Sequence, residues 1–249
     1  MPLRAVLFDL GDTLWHFPEL PPVDTIRRET VRRISELLRS WDIEPEGERF
    51  FLGRDIRLAL HEAEGAAYRG DLVSPNYTTL VQKVAASKGL DLSPEQSERL
   101  WDTWNLGGAF LGRILFDDTI DMLETLRDEG YRLGCITNRS FGGPRFLEEV
   151  RELGILDFFE MMAISCDFGY MKPHPQIYEH ALSTMKIAPD ETAMVGDSLR
   201  ADVKGAQELG ITAIWRTRPN PREEIDGVVP DFTVDELREI PRLACFAAD

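Results

Sequence analysis

Apolar residues recur along this chain in two rhythms. Residues 4–10 (RAVLFDL) form a short run of β-formers that ends on a carboxylate, which predicts a buried strand. From residue 23 to about 112 the rhythm is helical. Ile34, Leu37, Leu38 and Trp41 fall at i, i+3, i+4 and i+7, and Leu52, Ile56, Ala59 and Ala63 mark successive turns of a second helix. Gly89 suits the end of one helix. Ser93, Pro94 and Gln96 read as the N-cap, first-turn proline and capping-box glutamine of the next. No convincing strand interrupts this block.

Beyond about residue 117 helix and strand alternate. A helix over 118–129 stops at Gly130 and a strand follows over 131–137. A helix over 144–153 stops at Gly154 before a strand over 161–165. A helix over 175–186 leads to a strand over 192–196. A helix over 199–209 stops at Gly210 before a strand over 211–215. This repeat predicts an α/β fold with a doubly wound, Rossmann-like parallel sheet. The first strand belongs to the same sheet, so the core is discontinuous. We expect a core domain over 1–14 and 115–249 and an inserted all-α helical domain over 15–114.

In sheets of this kind ligands bind beyond the carboxyl ends of the strands. Here those ends carry Asp9 to Thr13, then Thr137 and Asn138, then the segment leading to Lys172, then Gly196, Asp197 and Ser198. Carboxylates at two strand ends, Asp9 and Asp197, with Asp202 five residues later, are hard oxygen donors of the kind that suit Mg²⁺. Thr137 and Asn138 precede a helix, where a hydroxyl and free N–H groups can hold phosphate oxygens. Lys172 supplies positive charge. An aspartate oriented by a metal and a lysine becomes a useful nucleophile, and Asp9 is the candidate.

Composition narrows the picture. The chain has 249 residues, 43% of them hydrophobic and 29% charged, as in an ordinary globular protein. Its net charge of −16 repels nucleic acid and anionic membrane surfaces, so we expect neither as a partner. An anionic substrate then needs local positive charge. Three cysteines without metal-ligand spacing suit a reduced, cytoplasmic setting. The opening MPLRAVLFDL does not read as a signal peptide, and no apolar run is long enough to span a membrane.

Four segments carry a resemblance. Phe8 to Leu14 (FDLGDTL), Ile136-Thr137-Asn138, Gly169 to Pro175 (GYMKPHP), and Val195 to Ser198 with Asp202 resemble, in order, the four motifs of the haloacid dehalogenase (HAD) superfamily. The resemblance implies a HAD-like core with an α-helical cap that selects substrate. It also implies hydrolysis of a small phosphorylated metabolite through an aspartyl-phosphate, with Mg²⁺ as cofactor. On that reading Asp9 is nucleophile and metal ligand, and Thr137, Asn138 and Lys172 hold the phosphoryl group. Asp197 completes the metal site with the carbonyl of Gly11, and Asp202 is a further ligand or a partner that supports the ligands.

One position departs from the family pattern. The second aspartate of Asp-x-Asp, which serves as acid and base, is replaced by Gly11, and Asp12 follows it. We expect Asp12 or a bound water to substitute in part. Gly11 also keeps two alternatives open: a C–halogen hydrolase of the same superfamily, and a catalytically weak phosphate- or metal-binding regulatory protein. A monomer or a homodimer is expected.

Other conspicuous residues have plainer readings. Trp101 and Trp104 are expected in the core of the helical domain. Trp15, His16 and Phe17 are expected to pack where the chain leaves the core. Arg27, Arg28, Arg32 and Arg33 read as a solvated helix face, and Cys135 and Cys166 as small buried hydrophobes.

Overall fold

The computed structural model describes residues 2–217 and 227–246; residues 218–226 and 247–249 of the expected core range lie outside the described residues. In chain order the elements are β1 (Ala5–Phe8), β2 (Trp15–His16), α1 (Val23–Arg39), α2 (Leu52–Arg69), α3 (Tyr77–Ser87), α4 (Pro94–Trp104), β3 (Ile114–Leu115), α5 (Thr119–Asp128), β4 (Arg132–Thr137), α6 (Gly143–Glu152), β5 (Met162–Ile164) and α7 (Ser165–Phe168). Then come α8 (Pro175–Met185), β6 (Thr192–Gly196), a π-helical turn (Leu199–Lys204) that continues into α9 (Gly205–Gln207), β7 (Thr212–Arg216) and β8 (Phe232–Val234). The chain divides into two compact units, one of Met1–Phe17 with Arg113–Asp249 and one of Pro18–Gly112.

The first unit is built on six strands in the order β5-β4-β1-β6-β7-β8, all parallel. β1 lies between β4 and β6, with Val6 opposite Leu133 on one side and Ala193 on the other. All four of its residues are buried. Alternation sends Ala5 and Leu7 to one apolar layer, with Ile177, Ala181 and Met185 of α8. Val6 and Phe8 go to the other, with Leu123 and Leu126 of α5. A strand covered on both faces has no polar side to show, which is why this run carries no alternation in sequence. Gly130 ends α5 at φ 91°, a conformation that costs glycine nothing and lets the chain turn straight into β4.

The parallel α/β class is as expected, with local differences. β8 adds a sixth strand beside β7, and two residues each of β2 and β3 pair antiparallel. Runs of two or three residues are too short to show a period. The expected helix over 199–209 is mainly a π-turn, which brings Asp202 back over the end of β6. The expected strand over 161–165 ends at Ile164, because Ser165 already begins α7.

The second unit is all-helical. Ile34, Leu37 and Leu38 of α1, Leu52 and Ile56 of α2, Val81 of α3 and Leu100 of α4 are buried. Tyr77, Trp101 and Trp104 stack in series at centroid distances of 5.2 and 5.4 Å, and Trp104 Nε1 donates to the carbonyl of Gly53 at 2.9 Å. Trp101 is therefore core, as the spacing predicts, while Trp104 is half-buried beside it. The capping box of Ser93 and Gln96 is formed. Arg32 pairs with Glu29 and Glu36 on an exposed face. No helix among the described residues is long and apolar enough to cross a membrane.

Candidate active site

β1 has β4 on one side and β6 on the other, and these two connect onward in opposite directions across the sheet. The loops that leave the three strands therefore open on one crevice. Asp9 follows β1 directly, and its N–H continues the sheet by donating to Val195 O at 2.9 Å. Thr137 closes β4 and is buried, with Asn138 next to it. Asp197 follows β6, and its carbonyl accepts a hydrogen bond from Trp215 Nε1 at 2.9 Å. Ser198 caps the π-turn that carries Asp202.

Lys172 joins these pieces. Its ammonium donates to Asp9 Oδ1 at 2.7 Å and to Asp202 Oδ1 at 2.6 Å, and the side chain is almost wholly buried. Burial by itself would depress the lysine pKa. The charges of Asp202 and Asp9 overcome it and hold the pKa above the ordinary value, so the side chain stays cationic. Asp202 accepts through its second oxygen from Ser198 N–H at 3.0 Å. That approach requires Gly196: a Cβ there would lie 2.2 Å from Asp202 Cγ. Thr13 Oγ1 donates to Asp9 Oδ2 at 3.4 Å.

Asp9, Asp197 and Asp202 each offer an oxygen within 4.8 Å of the others. One ammonium does not balance three carboxylates in so buried a place. Burial, and then the charges of Asp9, Asp202 and Asp12, push Asp197 up to about 8. Burial also raises Asp202, to about 6, against the opposing pull of Lys172. Such shifts mark a site short of positive charge, and a cluster of hard oxygen donors suits a divalent cation such as Mg²⁺. The donor set fits, with Asp9 and Asp202 each already accepting hydrogen bonds on both oxygens, so that an ion would share those oxygens with Lys172, Thr13 or Ser198.

The Asn138 side chain is committed to Lys172. Asn138 Nδ2 donates to Lys172 O at 2.9 Å, and Lys172 N–H donates to Asn138 Oδ1 at 2.7 Å. Gly11 and Asp12 lie on the turn after Asp9. Asp12 has φ 55°, in the left-handed region that aspartate tolerates better than most residues. Its N–H donates to Trp15 O at 2.7 Å.

Two further residues shape the site and escaped the sequence reading. Arg216, the last residue of β7, is buried against the Phe116 ring at 3.6 Å. Its Nη1 donates to the carbonyls of Asp12 and Thr13 at 3.0 and 2.6 Å. Ser165, just past β5, accepts from Arg139 N–H at 2.9 Å and donates to Arg139 O at 3.1 Å, tying down the loop after β4. Both sit at strand ends, so the signal that singled out Asp9 applies to them too.

The chain resembles known proteins over nearly its whole length. A glyceraldehyde 3-phosphate phosphatase of Methanopyrus kandleri is 28% identical, with 96% of this chain and 95% of that protein covered. The crystal structure of a HAD phosphatase from Thermococcus onnurineus is 25% identical, with a TM-score of 0.57 and 96% and 97% of the two chains covered. A 2-haloacid dehalogenase of Pseudomonas syringae pv. tomato shares the fold at a TM-score of 0.66 and 22% identity, over 96% of this chain and 97% of that one. The profile of the haloacid dehalogenase-like hydrolases matches residues 3–210. With that match laid over β1, β4, β6 and the crevice between them, the chain belongs to the haloacid dehalogenase-like hydrolases.

Proposed function

We propose that this hydrolase is a phosphatase that cleaves small phosphate monoesters, with Asp9 as the nucleophile. The contact that carries the reading is Lys172 Nζ to Asp9 Oδ1 at 2.7 Å, beside the carboxylate cluster of Asp9, Asp197 and Asp202. Lys172 holds one Asp9 oxygen, and the other, which accepts a long hydrogen bond from Thr13 Oγ1, attacks phosphorus. The ester oxygen departs with the bonding pair, and an aspartyl-phosphate remains for water to cleave. Thr137 and the N–H of Asn138, at the end of β4, receive phosphoryl oxygens, and the Lys172 ammonium offsets their charge.

Mg²⁺ is the proposed cofactor. Asp9, Asp197 and the carbonyl of Gly11 would hold it, with Asp202 as a further ligand or as the anchor of Lys172. When bound it adds positive charge where phosphoryl oxygens gather. The helical unit Pro18–Gly112 is the proposed cap that selects substrate. The full-length relative named for glyceraldehyde 3-phosphate supports the phosphatase reading, and makes short phosphorylated carbon chains the first esters to try.

Phosphate release is to be followed over a panel of esters, with Mg²⁺ and with EDTA, for wild type and Asp9→Asn. Mg²⁺-dependent release that disappears in Asp9→Asn is expected. No release from any ester would overturn the reading, and halide release from 2-haloacids in EDTA would replace it with carbon–halogen hydrolysis.

A further inference from the structure

Gly11 occupies a position that does not demand glycine. Its backbone lies outside the left-handed region, and a Cβ built on it would meet nothing nearer than Trp15 Nε1, at an ordinary contact distance of 3.8 Å. Space for a Cβ therefore exists two residues after Asp9, and a buried nitrogen borders it.

That nitrogen is unusual. Trp15 is fully buried, and among the described residues its Nε1 has no hydrogen-bond partner. A buried N–H without an acceptor destabilises a fold, and buried indoles normally find one. The ring is also firmly placed. The Arg113 guanidinium lies over it at 4.6 Å and is itself anchored to Glu149 at 2.9 Å. Phe146 meets it edge-on at 6.1 Å. Its main chain belongs to the turn that follows Asp9, through Trp15 N–H to Leu10 O at 3.1 Å and Asp12 N–H to Trp15 O at 2.7 Å. A rigid donor thus borders the Cβ position of Gly11, on the loop that carries the proposed nucleophile.

We propose that Trp15 Nε1–H is a positioning group for the reacting water, which it holds by its oxygen in the side-chain space of Gly11. The inference rests on the phosphatase reading. A hydrogen bond donated to the water oxygen stabilises negative charge there and makes the water a better proton donor. As the bond from Asp9 to phosphorus forms, the phosphorus–oxygen ester bond breaks and its pair passes to the leaving oxygen. The water gives that oxygen a proton and becomes hydroxide. The leaving group departs from the side opposite Asp9, and the hydroxide then attacks phosphorus from that same side. The bond from phosphorus to Asp9 breaks, its pair returns to the carboxylate, and hydrogen phosphate leaves. One water is consumed and every proton is placed, without an ionisable side chain at residue 11.

Trp15→Phe removes the N–H and keeps an aromatic ring, and its melting temperature reports whether packing survives. The proposal is tested by kcat/KM on an alkyl phosphate, whose leaving group needs a proton, and on para-nitrophenyl phosphate, whose leaving group does not. Trp15→Phe should lose about 10²-fold on the alkyl ester, the low end of acid–base assistance, and keep its kcat/KM on the nitrophenyl ester. The double variant Gly11→Asp/Trp15→Phe should regain the alkyl activity, because a carboxyl group in that space can carry the proton itself. Packing damage alone would depress both esters together and would not be rescued. Equal losses on the two esters, no loss, or a leaving-group-dependent loss found in Asp12→Asn but not in Trp15→Phe would overturn the proposal alone. Failure of wild type on every ester would sink the phosphatase reading, and this inference with it.

Discussion

Asn138 and Lys172 exchange two hydrogen bonds, Lys172 N–H to Asn138 Oδ1 at 2.7 Å and Asn138 Nδ2 to Lys172 O at 2.9 Å. The end of β4 thereby fixes the loop whose ammonium reaches Asp9. Displacing a reacting group by about an ångström can cost about 10²-fold. Asn138→Ala should therefore lower kcat by about that factor and change KM less. Steady-state kinetics on the best ester decide it, and a wild-type kcat would show that Lys172 is placed without Asn138.

The carboxylates and the lysine were legible because each breaks an apolar strand run, and because β1, β4 and β6 are buried enough to leave long runs to break. Asp9 after VLF and Asp197 after MVG are conspicuous for that reason. What was not legible depends on contacts between distant segments. The amide of Asn138 could be placed at a strand end, but its bonds to a residue 34 positions away could not. Arg216 stands out only as a polar residue ending the ITAIW run, and the fold alone lays it under the carbonyls of Asp12 and Thr13, about 200 residues earlier. The π-turn that carries Asp202 over Gly196 has the same apolar spacing as a plain helix. Trp15 was legible as a packing residue, whereas its missing acceptor was not.

Arg216 tests whether the turn after Asp9 needs outside support. Its Nη1 serves two carbonyls, and its guanidinium plane covers Phe116. Arg216→Met keeps much of the apolar contact and removes the donor. Two carbonyls then lose a charged partner, which should destabilise the protein by about 1–3 kcal/mol. Urea unfolding measures this. A loss of kcat beyond that expected from the folded fraction would show that the turn positions Asp9.

Metal binding should be visible without turnover. The carboxylate cluster is short of positive charge, as the raised values of Asp197 and Asp202 indicate. A cation that binds only the folded form stabilises it by about 2.7 kcal/mol at about 100 times its Kd. Mg²⁺ should therefore raise the melting temperature of wild type by several degrees, and EDTA should reverse the rise. Asp197→Asn removes one carboxylate charge of the proposed metal site and should abolish most of it. Calorimetry distinguishes the outcomes, and an equal shift in both proteins would place the ion elsewhere.

A charge cluster within the helical unit makes its stability depend on acid. Asp55, on α2, meets Arg54 at 2.7 Å and Lys88 at 2.8 Å, and only about a sixth of its side chain is exposed. Hydrogen bonds from Arg54 and then Lys88 hold its carboxyl below the usual carboxylate range. A folded-state pKa below the unfolded one gives stability that is full above the unfolded value and drains away as pH falls through the folded one. Near-surface pairs of this kind contribute at most about 1 kcal/mol. Asp55→Asn should therefore be less stable than wild type by about 0.5–1 kcal/mol at neutral pH. That difference should shrink as the pH is taken below the ordinary carboxylate range, where wild type also loses the charge. Urea unfolding of both proteins across that range measures the difference. A gap that persists in acid would assign the effect to packing around residue 55 rather than to its charge.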